Sequence, residues 1–308
     1  MSKAFLFPGQ GSQSVGMLAE LGQNHTLVLD TFAEASEVLD FDLWQLIQQG
    51  PEAELNITCN TQPAMLAAGV AVWRLWREKG GDAPAIMAGH SLGEYTALVC
   101  GGALAYRDAV GLVADRGRYM QDAVAPGEGA MAAILGLDDP KVMGICEQSA
   151  QGEEVAAVNF NSPGQVVVAG TAAAVQRAVE LAKREGAKRA IVLPVSVPSH
   201  CALMRDAASQ LEQRLSSVEI STPAIPVVNN VDVKVETDPA AIRDALVRQL
   251  YSPVRWVETI MYLSAQGVDT VVECGPGKVL AGLNRRIDRN MTVFPVFDED
   301  SLQNAIEK

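Results

Sequence analysis

Ala85-Ile86-Met87-Ala88-Gly89-His90-Ser91-Leu92-Gly93-Glu94-Tyr95 runs from an apolar stretch through Gly-x-Ser-x-Gly into a helix-forming segment. A serine on a sharp strand-to-helix turn presses its neighbours together, so the positions two before and two after it, Gly89 and Gly93, favour glycine. This is the pattern of a nucleophile elbow, and it makes Ser91 the candidate nucleophile. Its hydroxyl would sit over the first turn of the next helix, whose free N–H groups and dipole stabilise an oxyanion. The elbow demands a strand before it and a helix after it, which sets the expected fold as α/β with a parallel sheet.

Around this centre the chain reads in the same style. Ala4-Phe5-Leu6-Phe7 is a first strand, and Pro8-Gly9-Gln10-Gly11-Ser12-Gln13 the loop at its carboxyl end, where α/β sheets hold ligands. Gly9 and Gly11 do not continue into a dinucleotide fingerprint, because the sixth position is Ser14. Asn60-Thr61-Gln62-Pro63 reads as the start of a helix reaching Lys79. Gly275-Pro276-Gly277-Lys278 is no phosphate loop, since Val272 and Val279 stand where glycine and Ser or Thr are needed. The strand at 268–273 with the following turn and helix is expected to close the sheet.

Between 124 and 196 the order is strand, helix, strand, strand, helix, strand, a ferredoxin-like unit. The expected architecture is therefore an α/β-hydrolase-like parallel sheet core, residues 1–123 and 197–308, with an inserted ferredoxin-like (βαββαβ) subdomain at 124–196. Asn159 and Asn161 fall at the end of one of its strands, where an Asn-Ser-Pro-Gly turn is enough to account for them.

The 308 residues carry a net charge of −13 and five cysteines without a Cys-x-x-Cys pair. The charge argues against nucleic acid or an anionic membrane as the main partner. The cysteines fit neither a disulfide framework nor a metal site, so reduced thiols and no metal are expected. No apolar run approaches the roughly 20 residues of a membrane span, and Met1-Ser2-Lys3 leads into a strand rather than a signal peptide, which places the chain in the cytoplasm.

Three histidines exist, His25, His90 and His200. His25 sits in a polar loop and His90, adjacent to Ser91, projects away from the hydroxyl, which leaves His200 as the base. Ala109, Val113, Arg116 and Met120 share one face of a helix from about 106 to 123. Arg118 has Asp115 and Asp122 on its own stripe; Arg116 has no local partner and must find an anion elsewhere, because an unpaired buried guanidinium is costly. The residues alone favour a structural ion pair over a bound carboxylate.

Phe7-Pro8-Gly9-Gln10-Gly11-Ser12-Gln13, Gly89 to Tyr95, Arg116 and Val197-Pro198-Ser199-His200-Cys201-Ala202-Leu203-Met204, in that order, resemble the bacterial malonyl-CoA:acyl carrier protein transacylases. The likeness extends through Pro226 to Val231, Gln249-Leu250-Tyr251 and Glu273-x-Gly275-Pro276-Gly277, and so over nearly the whole chain. It implies that Ser91 is acylated with His200 as its base, that the backbone N–H groups of Gln10 and Leu92 form the oxyanion hole, and that Arg116 grips the malonyl carboxylate. It further implies that the backbone carbonyl of Gln249 orients the histidine. Asn161 and Gln62 are possible pocket residues. The implied partners are malonyl-CoA and acyl carrier protein, with no cofactor, in a ping-pong cycle serving fatty-acid-type synthesis.

Two rivals remain at this point. A serine thioesterase or esterase shares the elbow, with Asp115 or Asp122 as acid partner; a non-catalytic carrier-binding module would form no acyl-enzyme. Carrier proteins are acidic, so a chain at −13 needs a local basic patch to receive one. The clusters available are Lys183-Arg184 with Lys188-Arg189 on the inserted unit, and Arg285-Arg286 with Arg289 on the last predicted helix, the former being favoured slightly.

Overall fold

A computed structural model describes residues 2–195 and 197–308; Met1 and the expected boundary at Ser196 lie outside them. Five strands form a wholly parallel sheet: β1 (Ser2–Phe7), β2 (Ile86–Gly89), β7 (Val227–Val228), β8 (Val268–Cys274) and β9 (Thr292–Val296), in the order β7-β2-β1-β8-β9. A parallel sheet is covered on both faces, and its strands are apolar throughout rather than alternating. Phe5 and Phe7 face one core with Val272 and Val296, while Ala4 and Leu6 face the other with Val271 and Val293.

The sheet does not end at the strand the sequence marked as its close. β9 lies outside β8, and its short Thr-Val-Phe-Pro-Val run carries a proline that only an edge position tolerates. The long helix also begins earlier than expected: it spans Thr58–Glu78, with Pro63 inside it. Its first turns are tied to the preceding segment instead, Thr61 Oγ1 donating to the Leu55 carbonyl at 2.5 Å and Asn60 Nδ2 to the Glu54 carbonyl at 3.0 Å.

The second sheet holds β3 (Gly129–Leu135), β4 (Val155–Ser162), β5 (Gln165–Thr171) and β6 (Arg189–Val192), all antiparallel, in the order β4-β5-β3-β6. With helices Asp139–Ala150 and Ala172–Arg184 between strands, this is the split βαβ arrangement. Those helices cover one face, over Ala132, Ile134, Val166 and Val168; the other face, with Met131, Val158 and Val167, meets Cys201 and Leu203. Edge strand β4 is also bonded to the segment before helix Trp256–Ala265: Phe160 N–H donates to the Val254 carbonyl at 3.0 Å and Val254 N–H to the Val158 carbonyl at 2.8 Å. The small sheet is thus fixed over the carboxyl end of the large one.

Candidate active site

The loops leaving β1, β2 and β8 converge at one end of the large sheet, and glycines let them do so. A Cβ on Gly89 would lie 1.8 Å from the Gly93 carbonyl carbon, and one on Gly93 would lie 2.0 Å from the Phe7 oxygen. Gly9 approaches the elbow from the other side, its Cβ position 2.5 Å from the His90 carbonyl oxygen. Ser91 itself is forced to φ 51° and ψ −107°, a conformation that costs energy and persists only where neighbours impose it. Asn230 imposes it: its Oδ1 accepts from the Ser91 N–H at 2.7 Å while its Nδ2 donates to the Gly89 carbonyl at 2.7 Å.

His200 Nε2 stands 2.8 Å from Ser91 Oγ, and His200 Nδ1 stands 2.8 Å from the backbone oxygen of Gln249. A carbonyl only accepts, so Nδ1 carries the proton and Nε2 offers its lone pair to the serine hydroxyl. Burial, with the Arg116 cation next in weight, pushes the His200 imidazole down to about 3. The imidazole is therefore neutral at physiological pH. The carbonyl stands where a rival hydrolase would need an acid, and Asp115, one of the two candidates for that acid, is paired elsewhere, with Arg118 at 2.6 Å and Arg214 at 2.8 Å.

Arg116 is 1% exposed, on the buried stripe with Ala109, Val113 and Met120 of helix Tyr106–Asp122. The structural ion pair favoured by the residues alone is absent: among the described residues no carboxylate lies within ion-pair distance of it. Two amides hold it, Nη1 donating to Gln62 Oε1 at 2.8 Å and Nη2 to Gln249 Oε1 at 3.0 Å. Nη2 also points at Ser91 Oγ, 3.3 Å away. The guanidinium lies over the Tyr95 ring at 5.2 Å, and its Nε has no partner among the described residues.

The remaining expected residues divide. Leu92 opens helix Leu92–Cys100, so its N–H is one of the donors a helix leaves free. Gln10 lies in the exposed turn after β1, its side chain 3.5 Å from Thr58 Oγ1. Asn161 does not serve the turn, which Pro163 and Gly164 make at φ 73° for the glycine; its Oδ1 lies 2.8 Å from His90 Nε2 and so joins the small sheet to the elbow. Among the described residues no group of three or more His, Cys, Asp or Glu is placed to hold a metal ion.

One residue of each basic cluster, Arg286 and Arg189, is tied to the same end of the small sheet. Gln165 pairs with Leu135, and Leu135 with Arg189, across β5, β3 and β6; Arg286 Nη1 donates to Gln165 Oε1 at 2.7 Å. Adjacent strands are about 4.8 Å apart, so Gln165, which holds Arg286, and Arg189 lie two strand spacings apart on that sheet.

Such a constellation on such a fold matches known proteins closely. A family model for the acyl transferase domain matches residues 4–296. The chain is 58% identical over 303 residues to the malonyl CoA-acyl carrier protein transacylase of Salmonella typhimurium, covering 98% of each chain. The chain belongs to the malonyl CoA-acyl carrier protein transacylases. The transacylase of Bacillus subtilis is 47% identical, over 100% of this chain and 97% of its own. Among solved transacylase structures, that from Coxiella burnetii superposes with a TM-score of 0.99 at 52% identity, covering 100% of this chain and 97% of the other. A malonyl-transacylase in complex with a holo type II PKS acyl-carrier protein superposes equally well, TM-score 0.99 at 56% identity, covering 100% and 99%.

Sequence reasoning gave no role to Glu94, to Asn230 or to the Gln249 side chain. Glu94 stood inside the elbow motif, but a glutamate in the first turn of a helix is unremarked by itself. Asn230 and Gln249 come from segments 139 and 158 residues beyond Ser91 in sequence, which local pattern does not bring together.

Proposed function

We propose that this chain moves a malonyl group from the thiol of coenzyme A to the phosphopantetheine thiol of an acyl carrier protein, through a malonyl ester on Ser91. In the first half-reaction Ser91 Oγ passes its proton to His200 Nε2 and attacks the thioester carbonyl. The tetrahedral oxyanion is received by the N–H groups of Gln10 and Leu92. As it collapses the C–S bond breaks, and the departing sulfur takes the proton from Nε2. A thiol of pKa about 8.5 is an easier leaving group than an amine, so a base oriented by a carbonyl suffices. The second half-reaction runs these steps backwards with the carrier's thiol as the proton donor and nucleophile. Every group used belongs to the chain itself, and no metal or redox step enters.

The observation that carries this reading is Arg116 Nη2, 3.3 Å from the Ser91 hydroxyl and held by amides rather than by an acid. An acyl group on Oγ with a carboxylate one methylene beyond its carbonyl reaches that guanidinium, and a bidentate pair in a buried site is charge-assisted. The cation selects the acyl group on the serine, and the family to which the chain belongs favours transfer to a carrier over hydrolysis. Charged hydrogen bonds contribute about 1.5–3 kcal/mol each, so Arg116→Ala is expected to cut malonyl transfer by about two orders of magnitude, with acetyl transfer reduced less or raised. Arg116→Lys recovers part of the loss, because an ammonium lacks the planar fork. Equal losses for both acyl groups in the folded variant would overturn the reading.

We also take 124–196 as the inserted unit that walls the cleft and 1–123 with 197–308 as the catalytic one. No helix among the described residues is long and apolar enough to cross a membrane; separately, the carrier-bound acyl chemistry supports our reading of a cytoplasmic enzyme. The end of the small sheet to which Arg286 and Arg189 are tied is the face we assign to the carrier.

A further inference from the structure

One buried acid has no part in the proton transfers above. Glu94 is 2% exposed, sits three residues past Ser91 on the elbow helix, and takes two hydrogen bonds on a single oxygen: Oε2 accepts from the Asn230 N–H at 2.9 Å and from Gln249 Nε2 at 2.7 Å. Each donor has its other end in the reactive centre. Asn230 clamps the strained elbow from Gly89 to Ser91. The Gln249 carboxamide donates to the Ser91 carbonyl at 3.1 Å and presents Oε1 to Arg116.

We infer that Glu94 is a positioning residue for acyl selection: by fixing which way the Gln249 carboxamide faces, it keeps the Arg116 guanidinium turned towards the acyl group on Ser91. A primary amide has a donor end and an acceptor end, and only one of its two orientations offers oxygen to Arg116. Glu94 sets that orientation together with the Ser91 carbonyl: both accept on the same side of Gln249, and Glu94 Oε2 receives the shorter of the two bonds from Nε2, 2.7 Å against 3.1 Å. Without it only the longer bond to the Ser91 carbonyl holds Nε2 in place, and a carboxamide that reversed would turn Nε2 towards a guanidinium that can only donate. Arg116 would then keep Gln62 and the 3.3 Å contact with Ser91 Oγ but lose the second amide that fixes its plane, which bidentate recognition of a carboxylate requires. Glu94 has a second effect as the buried acid nearest this cation in the network, joined to it through one amide rather than directly. A direct ion pair would occupy the fork that the substrate needs. Burial pushes the Glu94 carboxyl up to about 7, against the pull of both hydrogen bonds and of Arg116, as expected of an acid kept at this depth for its geometry.

This inference rests on the reading of Arg116 as the carboxylate site. Because one oxygen receives both bonds, Glu94→Gln retains them with its carbonyl oxygen in place of Oε2, whereas Glu94→Ala orphans both donors. Acyl-enzyme formation from malonyl-CoA and from acetyl-CoA is measured for the parent, both Glu94 variants, Gln249→Leu and Arg116→Ala. Loss of one charged hydrogen-bonding arrangement corresponds to about tenfold. Glu94→Ala is expected to lower the malonyl-to-acetyl ratio of kcat/KM by about that factor, chiefly through KM for malonyl-CoA. Glu94→Gln should stay near the parental ratio. Gln249→Leu, which keeps the backbone carbonyl for His200, should reproduce the Glu94→Ala ratio and stands in for it if that protein does not fold. An unchanged ratio in Glu94→Ala or Gln249→Leu, while Arg116→Ala lowers it, overturns the inference alone; an unchanged ratio in Arg116→Ala overturns the carboxylate site beneath it.

Discussion

In the proposed reaction Ser91 and His200, 2.8 Å apart, share a single proton, and that interdependence has a measurable consequence. Ser91→Ala is expected to abolish acyl-enzyme formation and His200→Ala to slow both half-reactions strongly, yet the double variant should be little worse than Ser91→Ala; multiplicative losses in single-turnover assays would show that the two do not work as one unit. The pH dependence follows from the surroundings of the histidine. Burial, then the Arg116 cation, hold its imidazole at about 3, so acylation should show no acid limb near the ordinary histidine value of about 6.5. Both causes disfavour the charged form. Removing the cation in Arg116→Ala removes the second of them, so the imidazole titrates at higher pH and an acid limb should move up towards neutrality. Acylation rates measured from pH 4 to 8 with acetyl-CoA, which has no free carboxylate of its own, check the direction; a limb that moves down or stays would contradict the assignment.

At the scale of elements, the elbow is a three-way crossing of β1's exit loop, β2's end and the first turn of helix Leu92–Cys100, with no room for a methyl group at either glycine. A Cβ on Gly89 would meet backbone rather than a yielding side chain. Gly89→Ala is therefore expected to cost about 3 kcal/mol or more of stability, read as a lowered midpoint in urea unfolding, where Gly144→Ala, with open space at its Cβ, should be near neutral. This crossing was legible in the sequence because its sterics are local: glycines two before and two after a serine between an apolar run and a helix. Arg116 was legible as an anomaly on an apolar stripe, but its partners were not, since Gln62 and Gln249 lie 54 and 133 residues away. The ferredoxin-like order could be read from alternating strand and helix patterns, whereas β9 could not, because a proline-bearing edge strand has a weak pattern of its own. The start of the long helix was misplaced for the opposite reason: Pro63 looks like a first-turn residue, and the bonds from Asn60 and Thr61 that secure the real first turn are tertiary.

The whole molecule sets a problem of encounter. A chain at −13 repels an acidic carrier at long range, and only a local field of the other sign near the cleft makes approach productive. Gln165 brings Arg286 of one candidate cluster to within two strands of Arg189 of the other, so the two are expected to act together rather than as alternatives. Lys188→Glu/Arg189→Glu and Arg285→Glu/Arg286→Glu should each raise the apparent KM for carrier protein, while acylation from malonyl-CoA serves as the internal control. Raising ionic strength should weaken the carrier step in the parent, the Debye length being about 8 Å at 0.15 M. If neither pair nor salt changes that KM, docking is governed by apolar contacts.

The claim beneath all of these is a covalent malonyl group on one serine. Intact-mass analysis of the protein mixed with malonyl-CoA, followed by peptide mapping and addition of holo carrier protein, tests it directly. The expected result is a single malonyl adduct on Ser91 that disappears from this chain as the same mass appears on the carrier. No adduct, an adduct at another residue, or an adduct released as free malonate with none reaching the carrier would contradict the account.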